Sequence, residues 1–447
     1  MSKQKTSIRT YALSLGCAKN RVDTERMLAV LGEFYQPVQA PEEADVLLVN
    51  TCAFIQPAVE ESVQQILALV RDIQGLNPRP LLVVTGCLPA RYGAELETEL
   101  PEVDLWLGFF EQGNLLHYLR RLLGRQGLEH PGKEYTASVP GLGRVLSTPP
   151  GYAYLKLSEG CHRKCSFCLI PSIRGPLASR PKREILQEAE LILGQEGVSE
   201  LCLVAQDLTA YGKDLGLASG LQDLLSSLAG LSGLHWLRLL YLYPTGLGRD
   251  FLLFLRCLSP PVLPYFDLPL QHVQPQLLRR MGRPFSRDPR QVLDLIREAF
   301  PEASLRTSLI VGFPGETEAD FLQLKDFVQE IGFDHLGVFT FYPENGVKAA
   351  ELPGQVPEKE KQARKEELLW LQREISRSKL AQQIGQELQI MVDAPHQDWP
   401  TLFQGRAWFQ APEADGITYV SGHSLTPGQL VQAQVVESKD YDLVALT

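Results

Sequence analysis

Short apolar runs alternate with amphipathic stretches over the first 123 residues of the chain. Runs of consecutive apolar residues predict buried strands at 10–15, 45–50 and 81–85. Between these runs, apolar positions recur every three or four residues at 22–31 and 58–73, which predicts helices. Strands that alternate with helices in this way indicate a parallel sheet with right-handed crossovers. We therefore predict an N-terminal α/β domain.

The same alternation returns in the middle of the chain. Apolar runs predict six strands there, at 152–157, 201–205, 236–242, 265–270, 305–311 and 335–341. Helical patterns separate these strands at 183–193, 221–228, 250–258, 289–300 and 319–331. Parallel strands with intervening helices form a curled sheet, part of a (β/α) barrel, whose functional groups gather at the carboxyl ends of its strands.

The last part of the chain has a different pattern. A charged helix is predicted at 357–383, followed by strands at 388–392, 406–410, 417–420 and 430–436 and by turns at 415–416 and 427–428. These short strands indicate a small antiparallel β-barrel of the TRAM or OB type. The predicted boundaries are an α/β domain at 1–123, a linker rich in Gly and Pro at 124–151, a partial (β/α)6 barrel at 152–356, a connecting helix at 357–384 and the small barrel at 385–447.

Composition and charge narrow the class of protein. The chain has 447 residues, of which 44% are apolar, enough for several well-filled cores. Its first residues are polar and basic, and charged residues interrupt its most apolar stretch, so we expect a soluble cytoplasmic protein with no membrane partner. The net charge of −10 argues against a nucleic-acid backbone as the main partner. The eight cysteines then indicate metal-binding or catalytic thiols rather than disulfides.

Three cysteines stand close together at Cys161, Cys165 and Cys168, and we call them the loop cysteines. Three thiolates at this spacing hold three corners of a 4Fe-4S cube and leave the fourth iron open. A zinc site normally has four ligands, and an electron-transfer ferredoxin has a fourth cysteine nearby, whereas none follows here until Cys202. The spacing therefore favours a 4Fe-4S cluster with one open iron. Buried thiols or a zinc knuckle are the alternatives.

Three further cysteines follow the first three predicted strands. Cys17, Cys52 and Cys87 each come just after a strand, and we call them the strand-end cysteines. Because open α/β sheets bind ligands at the carboxyl ends of their strands, these cysteines indicate a second site with three thiolates. Three unrelated buried cysteines are the alternative, since free cysteine is often buried. We expect Cys202 and Cys257 to serve packing, because they lie within a strand-like and a helix-like run.

The loop cysteines, with Phe167 before the last of them, resemble the motif of the radical S-adenosylmethionine (SAM) superfamily. The three-domain organisation resembles one branch of it, the methylthiotransferases. The segments that carry this resemblance are 14–25, 50–52, 85–87, 161–175, 205–207, 269–272 and 310–317. Within the family, segments 14–20, 206–207 and 411–416 are similar to the RimO type, which attaches a methylthio group to the β-carbon of an aspartate in the twelfth protein of the small ribosomal subunit. Segment 342–347 departs from the family pattern, and we assign it no site residue.

The resemblance implies two 4Fe-4S clusters and SAM as cofactors. It implies that the loop cysteines hold the cluster that cleaves SAM and that the strand-end cysteines hold an auxiliary cluster that carries sulfur. The implied SAM contacts are Phe167, Gln206, Asp207, Gln271, Thr307 and Gly312. No side chain is expected to act as an acid or base, because the clusters carry the chemistry. A reducing partner such as flavodoxin or ferredoxin is also implied.

The implied reaction requires a radical. The substrate carbon carries an unactivated C–H bond, and tuning a side-chain base by about 2–5 pKa units does not make that proton removable at neutral pH. A cluster with an open iron can instead reduce bound SAM by one electron and release a deoxyadenosyl radical that abstracts the hydrogen, since such clusters reach about −700 mV. Because water would quench the radical, we expect the two cluster sites to face one closed cavity.

The charge of the C-terminal region separates two substrate classes. Residues 385–447 contain Arg406 and Lys439 as their only cations, against eight acidic residues. A module that holds transfer RNA gains affinity by neutralising phosphates, so this balance favours a basic protein and disfavours transfer RNA as a partner. An ordinary solvated acidic surface is the alternative interpretation. The competing functions are a transfer RNA adenosine methylthiotransferase and a non-enzymatic iron–sulfur carrier.

Two alternative roles remain for each of several polar residues near the predicted sites. His162, Arg163 and Lys164, inside the cluster loop, either ease reduction of the cluster or face solvent. His272 either contacts SAM or is a hydrogen-bonded structural histidine. Glu316 and Thr317 either belong to the site or open a helix.

Overall fold

The computed structural model describes residues 7–124, 143–283 and 288–447. Its contacts divide the chain into two compact units. The first unit comprises Met1–Ser147 with Leu169–Pro176, and the second comprises Thr148–Cys168 with Leu177–Thr447. Most of the predicted linker, from 125 to 142, lies outside the described residues. The predicted domain boundaries therefore stay predictions.

The first unit is built on a five-stranded sheet. Its strands are β1 (Ile8–Ser14), β2 (Tyr35–Pro37), β3 (Val46–Thr51), β4 (Leu81–Gly86) and β5 (Leu105–Leu107). Its helices are α1 (Ala18–Leu31), α2 (Gln56–Asp72), α3 (Cys87–Tyr92), α4 (Ala94–Glu99), α5 (Leu115–Leu123) and α6 (Ile170–Arg174). The strand order is β2-β1-β3-β4-β5 and every neighbouring pair is parallel, which confirms the predicted parallel α/β domain.

The central strands of this sheet are buried on both faces. Every residue of β3 is buried, and so is β4 after its first residue. Unbroken runs of Val and Leu are typical of such strands, because helices cover both sides of a parallel sheet. The polar residues at the strand ends are also buried and hydrogen-bonded. Thr51 Oγ1 donates to the Thr85 carbonyl at 2.6 Å, and Asn50 Nδ2 donates to the Asn20 carbonyl at 2.8 Å, so the strand ends are held firmly.

The second unit begins with a partial barrel. Its strands are β6 (Tyr152–Lys156), β7 (Ser158–Glu159), β8 (Ala178–Ser179), β9 (Glu200–Val204), β10 (Trp236–Leu239), β11 (Tyr265–Gln271), β12 (Ser304–Val311) and β13 (His335–Thr340). Its helices are α7 (Lys182–Leu193), α8 (Gly220–Ala229), α9 (Arg249–Cys257), α10 (Pro275–Arg280), α11 (Arg290–Ala299) and α12 (Glu318–Ile331). Apart from the short antiparallel pair β7-β8, the strands are parallel in the orders β6-β9-β10 and β11-β12-β13. A parallel bridge from Leu237 to Val262 links the two halves, and the predicted six-stranded partial barrel is confirmed.

A long helix and a closed five-stranded barrel complete the second unit. The helix is α13 (Glu358–Ala381), and the strands are β14 (Glu387–Pro395), β15 (Leu402–Ala407), β16 (Thr418–Ser421), β17 (Leu430–Ser438) and β18 (Leu443–Leu446). The barrel closes in the order β14-β15-β16-β18-β17. Its pairs are antiparallel except for the parallel pair β16-β18, so the predicted small barrel is confirmed with that one difference in strand direction.

Buried ion pairs join the small barrel to the six-stranded sheet. Arg406 of β15 donates to Glu200 of β9 at 2.7 Å and to Asp393 of β14 at 2.7 Å. Glu200 also accepts from Arg238 of β10 at 2.6 Å. Because a buried charge is costly unless it is paired, these residues favour one arrangement of the two barrels.

The structure corrects some predictions of single elements. The strand predicted at 406–410 is β15, which ends at Ala407. The strands β2, β5 and β18 were not predicted, since β2 and β5 have only three residues each. Cys257, which was expected to serve packing, is exposed, because the buried face of α9 is formed by other positions of that helix.

In the described ranges, no helix combines the length and the apolar character needed to cross a bilayer.

Candidate metal centres

The strand-end cysteines lie at one edge of the first sheet. Cys17 follows β1 at the start of α1, Cys52 directly follows β3, and Cys87 directly follows β4 as the first residue of α3. Since β1, β3 and β4 are adjacent and parallel, their carboxyl ends lie together. The structure therefore brings these three cysteines to one place.

Glycines before two of these cysteines allow the loops to approach closely. Gly16 has a φ of +87° and Gly86 a φ of +98°, in the left-handed region that favours glycine. A Cβ atom at Gly16 would lie 2.6 Å from the Cβ of Cys52 and 3.0 Å from its sulfur. A Cβ at Gly86 would lie 2.5 Å from the carbonyl oxygen of Thr51. A Gly-Cys pair after an apolar run is thus a sequence signal for this site.

The three thiols have different electrostatic surroundings. Burial opposes ionisation of Cys17, but Lys19, Arg174 and the N–H groups at the start of α1 outweigh it and lower the pKa of this thiol. Burial raises the pKa of Cys52. It also raises the pKa of Cys87 to about 11, although Arg174 acts in the opposite direction. Cys17 is therefore the first of the three to ionise.

Sequence reasoning assigned no role to Arg174, which ends α6 and lies at the same site. Its guanidinium contacts Asp23 at 3.3 Å, donates to Oδ1 of Asn20 and stacks over the ring of Phe109 at 4.5 Å. The helix α6, which Arg174 ends, also packs against α3, the helix that begins with Cys87. Asp23 lies 151 positions away in the sequence, so local patterns cannot reveal the contact.

The loop cysteines lie in the second unit, in a segment without helix or strand that other parts of the unit hold in place. The Ser166 N–H donates to the Met281 carbonyl at 3.0 Å, and the Ala349 N–H donates to the Ser166 carbonyl at 2.9 Å. The Arg163 N–H donates to the sulfur of Cys161 at 3.4 Å. All three loop cysteines are half-buried. Their thiols therefore lie in a loop that is held in place but are not fully buried in the core.

Arg163 anchors the same loop from within. Its Nε donates to Asp207 at 2.8 Å, and its guanidinium stacks 3.7 Å from the centre of the Tyr243 ring. Its neighbours His162 and Lys164 are exposed. Of the three cations in the loop, Arg163 packs against the protein and the other two face solvent.

The residues predicted to contact SAM fall into two groups. Those with partial exposure are Phe167, Gln206 and Gln271. Those that are buried against protein partners are Asp207, Thr307 and Gly312. Thr307 lies in the middle of β12 and donates to the Leu268 carbonyl at 2.7 Å. The Gly312 N–H donates to Glu316 at 2.9 Å, and a Cβ at Gly312 would overlap the side chain of Lys361. The side chains of Asp207 and Thr307 and the N–H of Gly312 thus already have partners in the protein.

His272 has the surroundings of a structural histidine. It is buried, its Nδ1 accepts the Gln274 N–H at 2.9 Å, and its Nε2 lies 3.7 Å from Glu316. Burial lowers the pKa of His272 to about 4, so the ring is neutral at neutral pH. Thr317 opens α12 as its N-cap, and Glu316, directly before it, pairs with Arg364 at 2.8 Å.

Both groups of cysteines provide donors that suit a 4Fe-4S cluster. All six are free thiols, and the backbone N–H of Arg163 donates to the sulfur of Cys161. Hydrogen bonds to sulfur are among the features that tune such clusters. Within the described part of the chain, no three His, Cys, Asp or Glu side chains are grouped so as to hold a metal ion. Each group of cysteines supplies three thiolates, which is the donor set of a 4Fe-4S cluster that leaves one iron open.

Three family models match successive parts of the chain. Residues 9–108 match the uncharacterized protein family UPF0004, residues 155–328 match the radical SAM superfamily, and residues 384–447 match the TRAM domain.

Curated relatives match nearly the whole chain. A protein of Nitratidesulfovibrio vulgaris named ribosomal protein uS12 methylthiotransferase RimO is 52% identical over 440 residues, which cover 98% of this chain and 100% of that protein. A protein of Lawsonia intracellularis with the same name is 48% identical and covers 100% of this chain and 99% of its own length. Another from Aquifex aeolicus is 44% identical, with 96% of this chain and 95% of that protein covered.

Among solved structures, the radical SAM methyltransferase TsrM from Kitasatospora setae has a similar fold. The TM-score is 0.52 at 13% sequence identity, and the match covers 75% of this chain and 72% of that chain. At this identity the likeness concerns the fold alone.

Proposed function

The chain belongs to the family of ribosomal protein uS12 methylthiotransferases named RimO, and on that premise we propose that it adds a methylthio group to the β-carbon of an aspartate of uS12. It is a radical SAM enzyme. The observation that carries the proposal is the 52% identity to a named uS12 methylthiotransferase across 98% of the chain. A non-enzymatic iron–sulfur carrier would need no radical SAM barrel.

The cofactors of this enzyme are SAM and two 4Fe-4S clusters, which when bound supply the abstraction of hydrogen and the transfer of sulfur. We assign the SAM-cleaving cluster to the loop cysteines and the auxiliary cluster to the strand-end cysteines. Each assignment gives a cluster three protein ligands and leaves one iron open for SAM or sulfur. The hydrogen bond to the sulfur of Cys161 supports the first assignment, and the common sheet edge of the strand-end cysteines supports the second.

The protein's own residues hold and orient these groups. Arg163 fixes the loop through Asp207 and Tyr243. We propose that Phe167, Gln206 and Gln271 contact SAM, since they keep exposed surface. Asp207, Thr307 and Gly312 would then act through the partners they already have, which are Arg163, the carbonyl of Leu268 and Glu316.

The surface charge of the small barrel supports a protein substrate. Residues 385–447, all of which the structure describes, contain two cations. Arg406 is buried between Glu200 and Asp393, so Lys439 is the cation of this region that lies on the surface. A single exposed cation gives little affinity for a phosphate backbone. We therefore propose that uS12, and not transfer RNA, is the partner of this region.

The acidic field of the barrel is weaker than its composition indicates. Asp415 pairs with Arg306, and Asp440 pairs with Arg377. Glu387, Asp398 and Glu437 remain exposed. The proposal therefore depends on the scarcity of exposed cations more than on a strong negative potential.

We further propose a flavodoxin or ferredoxin as electron donor and a cytoplasmic location, because an open iron requires a reducing compartment.

Mass spectrometry of uS12 tests the proposed function. The protein is reconstituted without oxygen and incubated with uS12, SAM, sulfide and reductant, and we expect a methylthio increment on one aspartate. Cys165→Ala should abolish the increment, whereas Cys257→Ser should keep it, since Cys257 is an exposed cysteine outside both groups. Deoxyadenosine formation without an increment on uS12 would refute the substrate, and an increment on transfer RNA would support the competing enzyme. No deoxyadenosine at all would favour the carrier.

A further inference from the structure

We propose that Arg174 is a positioning residue of the auxiliary site, where its buried guanidinium holds the strand-end cysteines and favours the reduced form of the cluster that they bind. The inference rests on the proposed function in one respect, which is that Cys17, Cys52 and Cys87 are the ligands of a cluster.

Arg174 is anchored at the start of the helix that begins beside Cys17. Its side chain is 1% exposed, and its guanidinium bonds to Asn20 and Asp23, which lie in the first two turns of α1. The ring of Phe109 covers one face of the guanidinium. A guanidinium has five N–H donors in a rigid plane, so this anchoring fixes where the remaining donors point.

The anchoring of Arg174 also reaches the loops that carry the cysteines. Asn20 accepts from Arg174 through Oδ1 and donates through Nδ2 to the carbonyls of Leu15 at 2.8 Å and Thr51 at 2.9 Å. Thr51 directly precedes Cys52, and α6 packs against α3, the helix that begins with Cys87. The guanidinium therefore lies beside the group of three thiols, and its positive charge favours their ionised forms.

The other charges at the site are distributed unevenly. The charge of Lys19 lowers the pKa of Cys17, and the charge of Glu61 raises the pKa of Cys52. Asp23 offsets part of the positive charge of Arg174. Arg174 is thus a cation that lies close to all three thiols.

A buried cation at this place has a definite effect on reduction. Three thiolates give the site negative charge, and each added electron increases it. The attraction between that charge and a guanidinium is strong where water is excluded. Net charge and hydrogen bonds to sulfur are among the factors that set the potential of such clusters. Loss of Arg174 should therefore make the auxiliary cluster harder to reduce.

The experiment uses the full chain with Cys161→Ala, Cys165→Ala and Cys168→Ala, so that only the auxiliary cluster is titrated. Dithionite supplies the electrons, and electron paramagnetic resonance follows the reduced cluster. We expect Arg174→Met to shift the midpoint potential to more negative values and Arg174→Lys to shift it less. Asp23→Asn should shift the midpoint potential in the positive direction, because this change removes the carboxylate that offsets the guanidinium.

Arg21→Met is the matched control. Arg21 also lies on α1 but bonds to the Ser147 carbonyl at 3.1 Å, so this change should leave the potential unchanged.

Equal potentials in the parent, Arg174→Met and Asp23→Asn, at equal iron content, would overturn the inference, because a purely structural arginine predicts that result. If Arg174→Met fails to retain iron, the sign of the Asp23→Asn shift decides, and no shift refutes the role of Arg174. A parent protein that binds no cluster would refute the auxiliary site itself. Methylthiolation of uS12 by the unsubstituted enzyme is measured separately, so the proposed function and this inference can fail independently.

Discussion

The ring of His272 shows how burial sets the protonation of a single residue. Its Nδ1 accepts the N–H of Gln274, so the proton of the neutral ring lies on Nε2, on the side of Glu316. The charged ring would lose its hydration without gaining a close partner. Burial accordingly lowers the pKa of His272 to about 4, below the ordinary value of 6.5.

The free energy of unfolding should fall as the pH drops below 6.5 toward about 4, because the unfolded chain binds this proton and the folded chain does not. His272 should account for about 1 kcal/mol of lost stability between about pH 7.5 and about pH 5.5. Urea unfolding at the two pH values measures the loss. His272→Asn retains an acceptor for Gln274 and should remove this share of the pH dependence. An unchanged pH dependence in that variant would contradict the prediction.

Gly86, which precedes Cys87, should tolerate no side chain. At a φ of +98° an alanine costs about 1–2 kcal/mol, and its Cβ would lie 2.5 Å from the Thr51 carbonyl oxygen. We therefore expect Gly86→Ala to lose cluster iron at the strand-end cysteines as well as stability. Gly75→Ala is the control, because Gly75 has a φ of +83° but nothing within 4 Å of an added Cβ. Equal iron and equal melting temperatures in the two variants would show that the close approach at Gly86 has no effect.

At the scale of elements, α13 combines buried leucines with buried polar groups. Its buried apolar residues are Leu368, Leu371 and Leu380. Lys361 Nζ donates to the Phe341 carbonyl at 2.8 Å, and Gln372 Nε2 donates to the Phe333 carbonyl at 2.9 Å. Arg364 pairs with Glu316, whose side chain is fully buried, so paired polar groups add to the apolar packing of this helix.

Arg364→Met should destabilise the second unit by about 3 kcal/mol, because it leaves the buried carboxylate of Glu316 without its cation. Chemical denaturation measures the change. Arg377→Met removes an arginine of the same helix whose pair with Asp440 is exposed, and we expect no measurable loss there. Similar losses in both variants would mean that charge burial at Glu316 is unimportant.

The elements that sequence patterns predicted well are those with long apolar runs. The strands β3 and β4 are such runs, and the order of strands and helices was enough to place the cysteines that follow them at a sheet edge. The edge strand β5 has three residues, only one of them fully buried, so it carries no periodic signal. Cys257 was misjudged because a helical pattern does not show which positions of a short helix face outward.

The parts of the site that sequence patterns missed are contacts between distant positions. Arg174 reaches Asp23 across 151 positions, and Arg163 reaches Asp207 across 44. The resemblance implied Asp207 and Thr307 as SAM contacts, and that stays a prediction. Their side chains also have partners in the protein, which only three-dimensional packing reveals.

At the scale of the whole molecule, each group of three cysteines belongs to a single unit. Cys17, Cys52 and Cys87 lie in the first unit, and Cys161, Cys165 and Cys168 lie in the second. The hydrogen bonds that position the strand ends and the cluster loop are likewise formed within one unit each. The two metal centres should therefore assemble independently.

Removal of either group should leave the other cluster in place. With all three strand-end cysteines changed to Ala, we expect about four of about eight irons per chain to remain, together with deoxyadenosine formation and without methylthio transfer. With the loop cysteines changed, about four irons should again remain, but deoxyadenosine formation should cease. Iron and labile-sulfide assays with product analysis measure these outcomes, and Cys257→Ser should retain the full iron content. If changing one group removed all of the iron, the two centres would depend on each other, which would contradict the prediction.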